Sequence, residues 1–418
     1  MRYAQKLGIL IVFLVGLIAI SQLYLFNYSP KSVSRFKDEL LHPDTGGTDL
    51  SIKRLKLRNS LAKPLAKIFN ANKVLFDQNV DKFRIRPRLP VKRIIVTGGA
   101  GFVGSHLVDV LMSQGHNVTV LDNLFTGDLR NIAQWMKHSR FKFINFDVSN
   151  PIYLEADQIY HLASPASPPI YMVNPVETLK ANLLGTINLL GLALRTGATF
   201  LLASTSEVYG DPEVHPQSES YWGNVNPNGV RSCYDEGKRG AESLTYAYFR
   251  SKGVPIRVAR IFNTYGPRMQ LNDGRVVSNF ILQALSNKDI CMYGNGNFTR
   301  SFMYISDLVE GLIRLMNANI TDPVNLGNPL EFTIHELAVI VKNLTGSSSN
   351  ITNCPEAIDD PKRRKPDITR AITHLNWEPK IQLKEGLRLT IGAFQEALKN
   401  PSLRMKNPNL ARYLSDEQ

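Results

Sequence analysis

The sequence predicts an α/β fold for residues 92–400: a doubly wound, mostly parallel sheet with a smaller C-terminal domain set over it. Three observations carry this expectation. β-rich apolar runs alternate with stretches of helical apolar spacing as far as about residue 266, the pattern of βαβ units. A glycine-rich turn separates the first such run from the first helical stretch. After residue 266 the alternation fails, leaving helical stretches with short strands between them.

The elements follow in chain order. Residues 1–6 read as a short cytoplasmic tail with Arg2 and Lys6. Residues 7–26, LGILIVFLVGLIAISQLYLF, hold no charge, and a helix rising about 1.5 Å per residue would cross the hydrocarbon core with that length. Ala19-Ile20-Ser21 is a passable signal-peptide cleavage site, but the run continues through Leu23, Tyr24, Leu25 and Phe26, so an uncleaved signal-anchor is expected. Residues 27–91 form a basic stem: positions 27–90 carry 14 Lys/Arg against 6 Asp/Glu, much of the net charge of +13. With no aromatic interleaving or nucleic-acid motif, this reads as a solvated stem and not a nucleic-acid arm.

Strands are expected at 92–97, 117–121, 142–146, 158–161, 199–203 and 256–260. Helices are expected at 106–113, 178–196 and 234–252, and beyond the boundary at 278–286, 306–318 and 334–344. Residues 92–265 form the first domain, 266–400 mainly the second, and 401–418 a loose polar tail. The three cysteines, Cys233, Cys291 and Cys354, are too few and too far apart for a disulfide-stapled scaffold. No Cys/His cluster has zinc spacing, and no metal is expected.

The turn Thr97-Gly98-Gly99-Ala100-Gly101-Phe102-Val103-Gly104 matches G-x-G-x-x-G at Gly99, Gly101 and Gly104, and G-x-x-G-x-x-G at Gly98, Gly101 and Gly104. Glycines there let backbone approach a pyrophosphate at a helix N-terminus. The turn follows a strand, precedes a helix, and has Asp122 at the end of the next strand, the context of a Rossmann-type dinucleotide site. A carboxylate at Asp122 would accept the adenine ribose hydroxyls and repel a 2′-phosphate, so NAD is the expected cofactor. Asp147-Val148 would reach the adenine, and Leu162-Ala163-Ser164 would line the cofactor.

Tyr234-Asp235-Glu236-Gly237-Lys238 places a phenol and an ammonium on one helix face. A nearby cation is expected to lower the phenol pKa and make Tyr234 a usable base. Ser204-Thr205-Ser206-Glu207 lies about thirty residues earlier, at the end of an apolar strand where open α/β sheets bind ligands.

Together these marks resemble the extended short-chain dehydrogenase/reductase family that acts on nucleotide sugars. Arg260-Ile261-Phe262-Asn263-Thr264-Tyr265-Gly266-Pro267 resembles that family's strand leading into the substrate domain, and Gly294-x-Gly296 followed by Thr299-Arg300-Ser301-Phe302 its second contact region for the uridine diphosphate. In place of the Thr-Asp-Glu of 4,6-dehydratases stands Thr205-Ser206-Glu207, and Glu207 replaces the small hydroxyl residue of simple 4-epimerases. With Arg300, and with the strings ASTSEVYGDPEVHPQ and YDEGKRGAE, this resembles the UDP-glucuronic acid decarboxylase branch.

That resemblance implies oxidation at C4 of UDP-glucuronate by bound NAD, loss of CO2 and re-reduction to UDP-xylose, which would supply glycan and proteoglycan synthesis. It implies Tyr234 as base, with Lys238, Thr205, Ser206, Glu207 and Arg300 as the other catalytic residues. The expected NAD site adds Phe102, Val103, Asn123, Phe125, Thr126 and Gly127. Lys180, Asn188, Asn263, Arg275, Tyr293 and Arg300 are the expected substrate contacts. It implies a homodimer through helices 178–196 and 234–252, with Leu183, Leu184, Ile187 and Leu190 either at that interface or on the chain's own sheet. The single anchor and stem resemble type II Golgi enzymes with a lumenal catalytic domain. A UDP-glucuronate 4-epimerase, a dehydratase, and a non-catalytic nucleotide-binding scaffold remain the alternatives.

Overall fold

Ile94, Ile95 and Val96 are buried on both faces of the first strand, as a parallel strand covered by helices on both sides requires. The computed structural model describes residues 90–400 apart from 295 and 356–360. The expected span at 7–26, nearly all of the stem, and the tail at 401–418 lie outside the described residues. Among the described residues no helix is long and apolar enough to cross a membrane.

The chain runs β1 (Arg93–Thr97), α1 (Phe102–Ser113), β2 (Asn117–Asp122), β3 (Phe141–Asn145), β4 (Gln158–His161), α2 (Pro168–Val173), α3 (Pro175–Thr196), β5 (Thr199–Thr205), α4 (Ser232–Lys252), β6 (Ile256–Ile261) and β7 (Thr264–Tyr265). It continues through α5 (Val276–Leu285), β8 (Ile290–Tyr293), β9 (Thr299–Ser301), β10 (Met303–Tyr304), α6 (Ile305–Asn317), β11 (Val324–Leu326), β12 (Glu331–Thr333), α7 (Ile334–Thr345), β13 (Ile351–Cys354), β14 (Arg363–Arg364), α8 (Thr369–Leu375) and α9 (Leu383–Lys399).

Seven parallel strands make the main sheet in the order β11-β6-β5-β4-β1-β2-β3. The order reverses between β1 and β4, and ligand crevices in such sheets open at that switch point, beyond the C-terminal strand ends. Side chains alternate between two cores with the period of two that strands impose. Ile94, Val96, Val118, Val120 and Leu201 join α1 and α6 on one face. Ile95, Leu121, Ile159, Phe200, Leu202 and Val258 join Leu189, Leu190 and Ala193 of α3 and Ala241 of α4 on the other.

The strands and helices expected from the sequence appear, with ends moved by a few residues. The simple boundary at 266 does not describe the sheet. After residue 266 the chain returns to the first layer, where α6 packs on α1 and β11 extends the sheet beside β6, Val324 opposite Ala259. Three residues, two of them apolar, give no periodic signal, so this strand was illegible in the sequence. The rest of the C-terminal region forms small sheets, β12-β9-β14 and β13-β8.

One disulfide forms, which the cysteine spacing did not disclose. Cys291 of β8 and Cys354 of β13 are bonded, 63 residues apart in sequence and 5.7 Å apart at Cα, while Cys233 is free and buried.

Candidate active site

Two adjoining clefts open at the C-terminal ends of the strands, of about 360 and 950 Å³. Both lie in the range of small-molecule sites. The smaller is lined by Gly98, Gly101, Phe102, Val103 and Gly104 of the first turn. Opposite them stand Asp122, Asn123, Phe125 and Thr126, then Asp147 and Val148, and Leu162, Ala163 and Ser164. A Cβ on Gly104 would stand 2.1 Å from the Gly98 carbonyl oxygen, so only glycine lets the turn close on the helix. Gly98 itself has φ +67°, the left-handed region. The helix that follows begins at Gly101 with no side-chain cap, leaving its N-terminus open to an anion.

Asp122 is buried, and its two carboxyl oxygens accept the backbone N–H groups of Ala100 (3.0 Å) and Leu124 (2.8 Å). Burial pushes its pKa up, and those two bonds oppose the shift. Each oxygen keeps lone-pair capacity for a ribose hydroxyl. Gly127 does not line the cleft; a Cβ there would meet the Asp122 carboxylate at 2.7 Å, so its role is to leave that group room. At Asp147 burial acts upward, but hydrogen bonds from Ser149 and Asn123 and the charge of Lys180 hold the pKa below the usual carboxylate range. The donor set and the glycine cradle fit a dinucleotide without a 2′-phosphate. Asp122→Ala is expected to weaken NAD retention at least about tenfold, because a hydrogen bond to a charged group is worth about 1.5–3 kcal/mol. NAD content after dialysis checks this; undiminished content would remove Asp122 from the cofactor site.

The larger cleft gathers the chemistry. β5 ends at Thr205, which caps a single 3-10 turn, Ser206–Tyr209, its hydroxyl accepting the Glu207 N–H at 3.2 Å. That turn aims Glu207 toward the helix carrying Tyr234. Tyr234 is hydrogen-bonded to Thr205 and lies flat against Tyr171, ring centroids 4.9 Å apart. Its pKa is pushed up to about 12, first by burial and also by the Glu207 charge, against the Thr205 bond.

Burial thus outweighs the lowering expected from a neighbouring cation. Lys238 Nζ lies 5.8 Å from the Tyr234 ring centroid and donates to the Ala203 carbonyl at 2.9 Å. Burial brings its own pKa down to about 7. With both groups buried, desolvation outweighs attraction across that distance.

Glu207 is the electrostatic centre. Burial acts to raise its pKa, but Arg364 and Arg231 outweigh burial and bring it down to about 2. Arg231 pairs with its second oxygen at 3.0 Å. Arg364, almost wholly buried, also donates to Ser206 Oγ (3.3 Å) and to the Gly210 carbonyl (2.8 Å). Arg300, expected as a catalytic and substrate-contacting residue, is buried in β9 and lines the same cleft; it donates to the Thr299 carbonyl at 2.9 Å, and its charge also helps to bring the Glu207 pKa down. Arg364 reaches Glu207 because β14 pairs beside β9 and carries it inward.

Residues 95–390 match the family model described as GDP-mannose 4,6 dehydratase. UDP-glucuronic acid decarboxylase 1 of Xenopus tropicalis is 62% identical over 309 residues, 74% of this chain and 73% of the relative. Its namesake in Danio rerio is 59% identical over 337 residues, 81% of each. The chain belongs to the UDP-glucuronic acid decarboxylase family. A UDP-glucuronic acid 4-epimerase of Bacillus cereus, solved with UDP-4-deoxy-4-fluoro-glucuronic acid and NAD, shares the fold at TM-score 0.67 and 27% identity, covering 73% of this chain and 99% of that one.

Within this decarboxylase-family fold most of the expected site residues converge. Thr205, Ser206, Glu207, Tyr234, Lys238, Asn263, Arg275, Tyr293 and Arg300 all line the larger cleft. Besides Gly127, two do not reach either cleft. Lys180 is exposed and paired with Glu177 at 2.9 Å, and Asn188 donates to the Val148 carbonyl at 3.0 Å, tying α3 to the segment after β3. Arg231 and Arg364 were missed. Arg231 stands three positions before Tyr234, which was a usable signal; Arg364 lies in the run Lys362-Arg363-Arg364-Lys365, whose four cations are indistinguishable until one is seen to point inward.

Proposed function

We propose that this chain converts UDP-glucuronate to UDP-xylose and CO2, with NAD as a retained cofactor. One observation carries this: the Thr205–Tyr234–Lys238 group that serves C4 oxidation shares a cleft with a carboxylate, Glu207, held ionised by two buried arginines.

When bound in the glycine-lined cleft, NAD supplies the hydride acceptor for C4, the hydride that later returns, and positive charge beside the phenol. Tyr234 takes the C4 hydroxyl proton, and Thr205 holds the phenol in line through its hydrogen bond. The resulting ketone stands β to the C6 carboxylate. When the C5–C6 bond breaks, its electron pair moves onto the C4 oxygen, where Thr205 and Tyr234 can donate as charge develops. Arg231 and Arg364 fix Glu207 against the sugar side of the cleft and orient water for protonation at C5. A guanidinium is too basic to be that donor itself. Product analysis from UDP-glucuronate tests the proposal: pentose nucleotide with CO2 supports it. A hexuronate product favours a 4-epimerase, and NAD-bound protein without turnover favours a scaffold.

The same reading includes a homodimer and a membrane anchor. On α3, Leu190 is buried in the chain's own core and Leu183 is half-buried, whereas Leu184, Ile187 and Leu194 form an exposed stripe, 44%, 37% and 45% accessible. An apolar stripe on a helix beside α4 is what a two-fold pairing of these helices would cover. Sedimentation should give a dimer mass; a monomer with full activity would exclude the pairing.

The anchor places the catalytic region in the Golgi lumen as a single-pass type II protein, and the Cys291–Cys354 bond supports an oxidising compartment. In sealed microsomes the catalytic region should resist added protease; its digestion from the cytosolic side would reverse the topology.

A further inference from the structure

Tyr171 lies flat on the Tyr234 ring, centroids 4.9 Å and planes 4° apart, and both residues line the larger cleft. Stacked rings at this spacing attract beyond the area they bury. Tyr171 is 1% exposed, and its hydroxyl is buried with no hydrogen-bond partner among the described residues. Its hold on Tyr234 is therefore made by the ring and not by the hydroxyl.

The turn that carries this ring is fastened at both ends. α2 opens on Pro168 and Pro169, each holding φ near about −65°. The Ser167 hydroxyl ahead of them donates to the Asp273 carbonyl at 2.5 Å, and the Ser167 carbonyl accepts the N–H groups of Ile170 and Tyr171, each at 3.0 Å. Pro169 packs on Gly274, where a Cβ would stand 2.4 Å from the proline ring. On the other side the Tyr171 carbonyl accepts the Cys233 thiol at 3.3 Å, which ties Tyr171 to the residue just before Tyr234. α2 thus bridges residues 273–274 and the start of α4, and it has no charged side chain of its own. The groups that act on the phenol come from elsewhere. Thr205 of β5 bonds it, and Glu207 of the next turn, Arg275 ahead of α5 and Asp235 of α4 supply charge, with Lys238 5.8 Å from the ring centroid.

We infer that Tyr171 is a positioning residue for Tyr234: its ring, held by α2, keeps the phenol turned toward C4 of the sugar and shields one face of it from water. This role rests on Tyr234 being the base of the proposed reaction. Proton and hydride transfer depend steeply on geometry, and a displacement of about 1 Å can cost about 10²-fold. Substrate binding is spread over many other residues of the cleft. Loss of the stacked ring should therefore fall on the chemical step and spare binding.

The test compares full-length, NAD-loaded Tyr171→Leu and Tyr171→Phe proteins with the wild type. Steady-state kinetics with UDP-glucuronate are run across pH, and single turnovers are followed at the reduced nicotinamide band. Tyr171→Leu is expected to lower kcat at least about tenfold with KM within about threefold, and to slow nicotinamide reduction in proportion. The limb of kcat that rises with pH should move to lower pH by about half a unit or more, because water reaching the phenol favours its charged form while the charges around it are unchanged. Tyr171→Phe keeps the stacked ring and should recover most of kcat and the wild-type limb. Tyr171→Met makes the same comparison if Tyr171→Leu does not fold. Ring-labelled 13C-tyrosine gives a reading without turnover. The Tyr234 signal, assigned by its loss in Tyr234→Phe, should report slow ring flips in the wild type and in Tyr171→Phe, and fast flips in Tyr171→Leu.

Wild-type kcat and pH limb in Tyr171→Leu would overturn the brace. A raised KM with kcat unchanged would make Tyr171 a substrate contact and overturn it as well. Equal losses in the Phe and Leu variants would place the effect in the hydroxyl, again against the proposal. If the wild type releases no CO2 from UDP-glucuronate, the decarboxylase reading fails, while the ring-flip comparison still decides whether Tyr171 holds Tyr234.

Discussion

Tyr234→Phe should lower CO2 release from UDP-glucuronate by about 10³–10⁴-fold, the upper range for loss of a general base. The reduced nicotinamide band should also fail to appear in a single turnover, because C4 cannot be oxidised while its hydroxyl keeps its proton. Release of CO2 at the wild-type rate would show that another group is the base. The neighbouring Lys238→Met variant is expected to lose the same step while gaining stability near pH 7. Burial brings the Lys238 pKa down to about 7, below its value in the unfolded chain. Between that pH and the unfolded pKa near 10.4 the unfolded chain binds more protons, so stability rises with pH across this window. Removing the lysine removes that rise. Melting temperatures of the NAD-free variants from pH 6 to 10 check the sign, and an unchanged slope would mean that Lys238 is charged in the folded protein.

Arg364→Gln is expected to slow CO2 release at least about a hundredfold, the usual cost of removing one aimed charged donor from a site. C4 oxidation should persist in part, since Thr205, Tyr234 and Lys238 are untouched. The signature is a rise of the reduced nicotinamide band without matching UDP-xylose, where the wild type returns to baseline. Arg300→Ala should act more weakly, because the charge of Arg300 acts on Glu207 less strongly than those of Arg364 and Arg231.

Stability should change as well. Breaking a buried ion pair costs about 3–5 kcal/mol when the other charge is left alone; Arg231 remains 3.0 Å from Glu207, so the cost should be smaller. The Glu207 carboxyl, brought down to about 2, contributes stability that is present above its unfolded pKa near 4.3 and is lost as pH falls toward 2. In the Arg364→Gln protein the folded pKa should rise toward the unfolded value, so that loss should be smaller and should end at a higher pH. Wild-type CO2 release from Arg364→Gln would remove Arg364 from the reaction. Complete loss of the nicotinamide signal would place it in the oxidation step.

The glycine turn, Asp122, Thr205 and the Tyr234/Lys238 pair could be read directly because each depends on short-range order. Residues three or four apart share a helix face, and a turn between strand and helix needs its glycines in fixed places. The alternation of apolar runs likewise determined the parallel sheet and its two cores, since side chains on a strand point alternately to opposite faces. The oxidising half of the site and its cofactor were therefore properties of the sequence by itself.

Long-range pairing decided the remainder. Arg364 stands 157 residues from Glu207, and only the docking of β14 beside β9 turns it, and not Arg363 or Lys365, into the cleft. β11 joins the main sheet beside the distant β6 without a pattern of its own, and the Cys291–Cys354 bond depends on β8 meeting β13. The pKa shifts of the site were hidden for the same reason. Tyr234 near 12 and Lys238 near 7 follow from burial, which is a property of the whole packed molecule and is not encoded by the spacing of the two residues.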